Sequence, residues 1–166
     1  MKKYINIVIA LIFVFCSSSC QEQDVYVDYE EYELTLILPE TKAIEIEVLE
    51  LINEYRTSLN LNRLQTMPIL KSVANRHTMD MVRDGKYSHN NFYLRSEYIK
   101  FKINAFTVAE NVAYGYYDAP SMVNAWISSG GHRRNIESNS THFDISMESD
   151  VNGRFYATNI FIRTNN

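Results

Sequence analysis

The sequence has little sulfur chemistry and no basic tract, and each absence narrows what the chain can be. Its two cysteines, Cys16 and Cys20, both fall in the first twenty residues. The remainder therefore holds no internal disulfide and no thiol nucleophile, and an exported fold without staples relies on its hydrophobic core. Without a lysine- or arginine-rich run, nucleic acid and anionic membrane surfaces are poor partners. Internal repeats and low-complexity tracts are absent too. The only long apolar run, Ile5 to Phe15, is shorter than the roughly twenty residues a spanning helix needs.

That run sits between Lys2-Lys3 and Ser17-Ser18-Ser19-Cys20, the layout of a secretory signal. Residues 1–20 resemble a bacterial lipoprotein signal, with Cys20 as the lipidated first mature residue; an ordinary cleaved signal is the alternative. The leader carries two lysines and no acid, so the mature chain has 14 basic against 20 acidic residues, a charge of −6. The expected location is the cell envelope, with the membrane reached through the acyl anchor and the outer membrane included. Free secretion is the other possibility.

Residues 21–40 read as an acidic, tyrosine-rich tether without helical period, and Leu34 to Leu38 as a short strand before Pro39. From residue 41 the pattern becomes that of a folded domain, 46% hydrophobic over the whole chain and long enough for one core. Ile44, Val48, Leu51, Ile52, Tyr55 and Leu59 recur at helical spacing. Pro68 opens a second helix with Leu70, Val73, Ala74, His77 and Met81 inward and Gly85 as its stop. Asp118 caps a third, with Pro120 in its first turn and Met122, Ala125 and Trp126 inward. A turn or short helix follows through Ile136. Phe143 to Glu148 alternates, Asn152-Gly153 signals a hairpin, and Arg154 to Ile162 is rich in β-formers. Helices followed by a hairpin make the fold α+β.

The chain has four histidines, and His132 lies in Trp126-Ile-Ser-Ser-Gly-Gly-His132-Arg-Arg-Asn135-Ile136, after a Gly-Gly step that leaves little bulk around it. With Ile52 to Arg56, Tyr87-Ser88-His89-Asn90 and Ala109-Glu110-Asn111-Val112-Ala113-Tyr114-Gly115, the order and spacing resemble the CAP superfamily of cysteine-rich secretory proteins, antigen 5 and pathogenesis-related proteins. The resemblance covers residues 44 to 162. It implies an α-β-α sandwich with a cleft where His89, Glu110 and His132 match the family's histidine, glutamate and histidine. Ala109 replaces the family glycine before the glutamate. Ser129 stands where many eukaryotic members carry a second cleft acid. Asp144-Ile145-Ser146 replaces a Gly-x-Gly strand start, which implies a divergent sheet edge.

Two imidazoles and a carboxylate form a plausible zinc shell with an open position, and zinc-bound water is a hydrolytic nucleophile near neutral pH. No local motif fixes the geometry, because His89, Glu110 and His132 are 21 and 22 residues apart. Glu110 and Asn111 read equally well as hydrogen-bonding residues of a loop before the third helix, and His132 as a helix-end cap. His77 and His142 read as packed histidines, Arg133 to Asn135 as a solvated or bracing turn, and Tyr114, Tyr116 and Tyr117 as core and rim. Ser88 and Ser129 have no nucleophile context. A core location for Trp126 and a positive φ at Gly131 are further expectations.

The functional expectation is a monomeric, exported CAP domain that binds an envelope or extracellular ligand through His89, Glu110, Asn111 and His132. The alternatives are a zinc-dependent hydrolase using His89, Glu110 and His132, and a lipid or sterol carrier, which needs a long apolar groove.

Overall fold

The computed structural model describes residues 28–165, so the leader, Cys20 and residues 21–27 lie outside it. The elements in order are α1 (Tyr29–Leu34), α2 (Ala43–Ser58), β1 (Gln65–Thr66), α3 (Pro68–Asp84), α4 (Phe92–Ile103), β2 (Thr107–Tyr116), α5 (Ala119–Ser128), α6 (Gly130–Ile136), β3 (His142–Ser149) and β4 (Phe155–Arg163). One sheet has the order β1-β3-β4-β2, with β1 parallel to β3 and the other pairs antiparallel.

Helices cover both faces of this sheet. Successive strand residues point to opposite faces, and β4 sorts them cleanly. Ala157 and Phe161 join Val48 and Ile52 of α2 and Met122 and Trp126 of α5 in one cluster. Ile160 and Ile162 join Leu70 and Val73 of α3 and Tyr98 and Ile99 of α4 in the other. The result is the expected α-β-α sandwich, and double coverage explains why nearly all of β3 and β4 is buried instead of alternating in and out.

Local signals act as read. Asp118 Oδ1 accepts the Ser121 N–H at 2.7 Å, and Gly85 ends α3 at φ 62°. The β3–β4 connection turns at Gly153 with φ 77°. Leu59 caps α2 at its C-terminus and is exposed, not inward.

Two readings change, and one helix had no reading. Leu34 to Leu38 form no strand, and residues 28–34 are not free tether: Asp28 Oδ1 accepts the N–H groups of Glu30 and Glu31 at 3.0 Å and starts α1, which ends at Leu34. Tyr29 then stacks on Phe101 at 4.8 Å between ring centroids, and Tyr32 meets Tyr98 at 4.9 Å, which ties this helix to α4. Helix α4 itself has no helical stripe in sequence, because Arg95 and Ser96 share its buried face with Tyr98 and Ile99. Strand β2, read as a loop, carries buried Glu110 and Asn111 at its centre. A polar pair there hides the alternation a strand normally displays.

The divergent edge at Asp144 to Ser146 takes a specific form. Strand β1 covers only His142 and Phe143. Beyond them side chains seal β3: Lys71 donates to the Ile145 carbonyl at 2.9 Å, and Glu45 accepts the Met147 N–H at 2.8 Å. Lys71 and Glu45 pair with each other while almost wholly buried.

Trp126, 2% exposed, packs between α2, α5 and the sheet and donates Nε1–H to the Val112 carbonyl at 3.2 Å. Trp126→Ala should cost about 3–5 kcal/mol, as aromatic truncation in a core does, and lower the melting midpoint by about 10 °C. A shift below about 2 °C would contradict a core role.

Candidate functional site

Strand β2 lies at the outside of the sheet, next to β4 alone, so one edge of it lacks a strand partner. Two of its carbonyls are taken by side chains of the Trp126–Ile136 stretch: Val112 by Trp126 Nε1 at 3.2 Å and Glu110 by Asn135 Nδ2 at 3.2 Å. Buried carbonyls need such partners. The stretch is therefore first a clamp on an edge strand, and through that clamp it brings His132 to β2.

Because strand residues alternate, Glu110 and Asn111 serve opposite layers. Asn111 is wholly buried, donates to the His132 carbonyl at 3.1 Å and accepts from Asn135 at 2.8 Å. Expected among the ligand-binding groups, it instead fixes the backbone that carries His132. The imidazole of His132 projects from the first turn of α6, half-buried, with its ring 6.4 Å from that of Trp126. Burial and then the nearby charge of His89 hold it below the ordinary histidine pKa. His132 is thus inside a helix and not a cap after one.

Gly131 is not the positive-φ residue the sequence suggested. Its backbone is helical, and a Cβ there would meet nothing within 4 Å. Its small size leaves the surroundings of His132 open, and no backbone strain is involved.

Glu110 points the other way, to α4, and its partners are the decisive geometry. Arg95 Nε donates to Oε2 and Arg95 Nη2 to Oε1, both at 2.8 Å, in a two-pronged pair. His89 Nδ1 lies 2.8 Å from the same Oε1. The Arg95 and Glu110 side chains are 4% and 1% exposed, whereas His89 is 51% exposed. Burial alone would raise the Glu110 pKa, but the hydrogen bonds from His89 and Arg95 and the guanidinium charge bring it below the ordinary carboxylate value. An ionised Glu110 only accepts, so Nδ1–H of His89 is the donor, and in the neutral ring the lone pair is on Nε2.

The loop that carries His89 is braced from α3. His77, buried as expected, donates Nε2–H to the Ser88 carbonyl at 2.7 Å, and Arg95 Nη1 donates to the Asn90 carbonyl at 2.6 Å. His142 is likewise a packed residue, with Nδ1 3.0 Å from Thr141 Oγ1. Arg95 was invisible to sequence reasoning. Its signal, the one arginine in the mixed stretch Phe92 to Ile103 before the Ala-Glu-Asn motif, acquires meaning only once α4 lies on β2.

This donor set does not fit zinc. A catalytic zinc takes three protein ligands, and the charge of Glu110 is already paired with the buried Arg95 guanidinium, with His89 on the same carboxylate. Among the described residues no three His, Cys, Asp or Glu side chains come together as a metal group. The expected ligand trio of His89, Glu110 and His132 is thus a carboxylate–imidazole pair plus a second imidazole. Ser129, at the junction of α5 and α6, supplies no acid.

Arg95→Met should destabilise the fold by about 3–5 kcal/mol, since it strands a buried carboxylate, while the Arg95→Met/Glu110→Leu pair should cost less than the single change. Denaturant unfolding of the four proteins checks this, and additive losses would contradict it. Because the folded pKa of Glu110 is depressed, its stabilisation is present above the ordinary carboxylate range and lost as pH falls through the depressed value. The stability gap between wild type and Glu110→Gln should therefore persist to about pH 4; a gap that closes near pH 6 would contradict the assignment.

The Cysteine-rich secretory protein (CAP) family model matches residues 49–162. The chain is 30% identical over 123 residues to the membrane protein YlbC of Bacillus subtilis, which covers 72% of this chain but only 34% of YlbC. An outer surface protein of Borrelia burgdorferi has the same fold, with TM-score 0.68, 19% identity, and coverage of 78% of this chain and 99% of that one. An extracellular SCP-domain protein of Bacillus anthracis superposes with TM-score 0.62 at 25% identity, over 76% of this chain and 45% of its own. The matched span runs from within α2 to within β4 and contains His89, Glu110 and His132, and the chain belongs to the Cysteine-rich secretory protein (CAP) family.

Proposed function

We propose that this protein is an exported CAP domain, anchored by lipid at Cys20, that binds an envelope or extracellular ligand through the His89–His132 cleft and does not turn it over. The observation that carries this reading is the engagement of Glu110. Both of its oxygens are committed within the protein, to Arg95 and His89. A general base must reach a substrate proton, and a metal ligand must offer a free lone pair. Glu110 is buried and its charge is already paired with Arg95, and no cysteine or activated serine stands in for it. The cleft instead presents an exposed imidazole held at one angle and a second, half-buried imidazole. Both can hydrogen-bond a ligand without covalent chemistry.

Surface placement is supported by the charged leader with its short apolar run and by relatives described as an outer surface protein and an extracellular protein. Among the described residues no helix is long and apolar enough to cross a membrane. Residues 28–34, docked on α4 as α1, leave only residues 21–27 between Cys20 and the folded body. Seven residues reach at most about 25 Å, which would keep the domain close to the membrane.

Two measurements test the proposal. Mass spectrometry of the N-terminal peptide should show acylated Cys20, and Cys20→Ser should move the protein from the membrane fraction to the medium; unchanged fractionation of the variant would remove the anchor. Calorimetric zinc titration of wild type and His89→Ala/His132→Ala should give the same uptake, while saturable binding of the labelled domain to isolated envelopes should fall at least about tenfold in the double variant. Zinc uptake that depends on the two histidines, or envelope binding that ignores them, would overturn the reading.

A further inference from the structure

A second cavity lies on the opposite side of the sheet order from β2, over the sealed edge of β3. It is an open groove of about 790 Å³ between residues 38–41, α2 and the start of α3, and Asp144 lies in its lining. Leu38 and Ile46, both more than half exposed, form its apolar walls together with Pro68. Asp144 is the residue this chain has where the resembled family pattern has glycine, so the carboxyl is a feature of this chain. It is 5% exposed, and its oxygens accept backbone N–H groups of Ile145 at 2.9 Å and Met67 at 3.3 Å.

Among the described residues Asp144 has no ion-pair partner. The neighbouring ammonium of Lys71 is committed to Glu45 and to the Ile145 carbonyl. Arg63 at the rim is paired with Glu50. Of the charged residues that line the cavity, Glu40, Glu50 and Asp144 are acids and Arg63 and Lys71 are bases, so the unspent charge is negative. A desolvated carboxylate without a counter-ion is stabilised by any cation that reaches it. A groove of this size with apolar wall residues and a buried carboxylate that lacks an ion-pair partner among the described residues has the make-up of a small-molecule site.

We propose that this groove is a second binding site, separate from the His89–His132 cleft, for a protonated amine on an apolar body. The ammonium pairs with Asp144, and the body lies on Leu38, Ile46 and Pro68. The groups that face Asp144 set its pH response. Burial pushes its carboxyl up to about 6, with the backbone donors and Lys71 opposing and Glu45 assisting. His142, two residues earlier on β3, is held below the ordinary histidine value by burial. The site is therefore charged at neutral pH and discharged in mild acid, and amine binding weakens as pH falls through about 6.

The probes are 2-phenylethylammonium and its neutral counterpart 2-phenylethanol, titrated into the full chain by NMR and calorimetry. The amine should bind saturably and at least about tenfold tighter than the alcohol, with shifts at Asp144 and Ile46 and none at His89 or His132. Asp144→Asn should remove that preference, as should lowering the pH to about 5. Ile46→Lys, a change at an exposed position, should weaken the amine at least about tenfold if Asp144→Asn does not fold. Equal affinity for amine and alcohol, unchanged binding in the folded variants, or no saturable binding would overturn the site. Shifts confined to His89 and His132 would also overturn it while leaving the cleft proposal intact.

Discussion

A carboxylate on an edge strand, taken almost wholly out of water, is the constraint around which this domain is arranged. An unpaired buried charge costs several kcal/mol, so Glu110 obliges the chain to deliver a cation to it. Arg95 does so from α4 with two parallel hydrogen bonds, and this fixes α4 against β2. The remaining acceptor capacity of Oε1 orients His89. The same guanidinium reaches the Asn90 carbonyl and so holds the loop on which His89 sits. One ion pair thus places a helix, a loop and an imidazole.

The other layer meets the same strand through neutral hydrogen bonds. Trp126 and Asn135 take outward carbonyls of β2, and Asn111 reaches back to the carbonyl of His132. The two histidines therefore approach from opposite layers over one strand edge. Rigidity comes from groups behind them, while the rings themselves retain partial exposure. That division suits recognition. Within it the Glu110 charge is paired with Arg95 and not exposed to solvent.

Sequence patterns exposed the helices whose buried faces are apolar, and the hairpin, whose Asn152-Gly153 turn is a local signal. The elements they concealed are those that make the site. Helix α4 buries Arg95 and Ser96, and β2 buries Glu110 and Asn111, so neither displays the period of its own secondary structure. Family resemblance singled out His89, Glu110 and His132 by position, but it could not reveal that the charge of Glu110 is already paired with Arg95. Ion pairing between residues 95 and 110 is a property of helix α4 lying on strand β2, and no local pattern encodes it. Asp144 was visible as a departure from the family pattern; its meaning as a carboxylate without a counter-ion appeared only with the cavity beside it.

The central claim is that Arg95-bound Glu110 orients His89 as a hydrogen-bonding group and withholds itself from metal. Nitrogen-15 NMR of the His89 ring at neutral pH tests this most directly. The account predicts an Nδ1-protonated imidazole in the neutral form, with resonances unmoved by equimolar zinc. An Nε2-protonated ring, or zinc-induced shifts shared by His89 and His132, would contradict it.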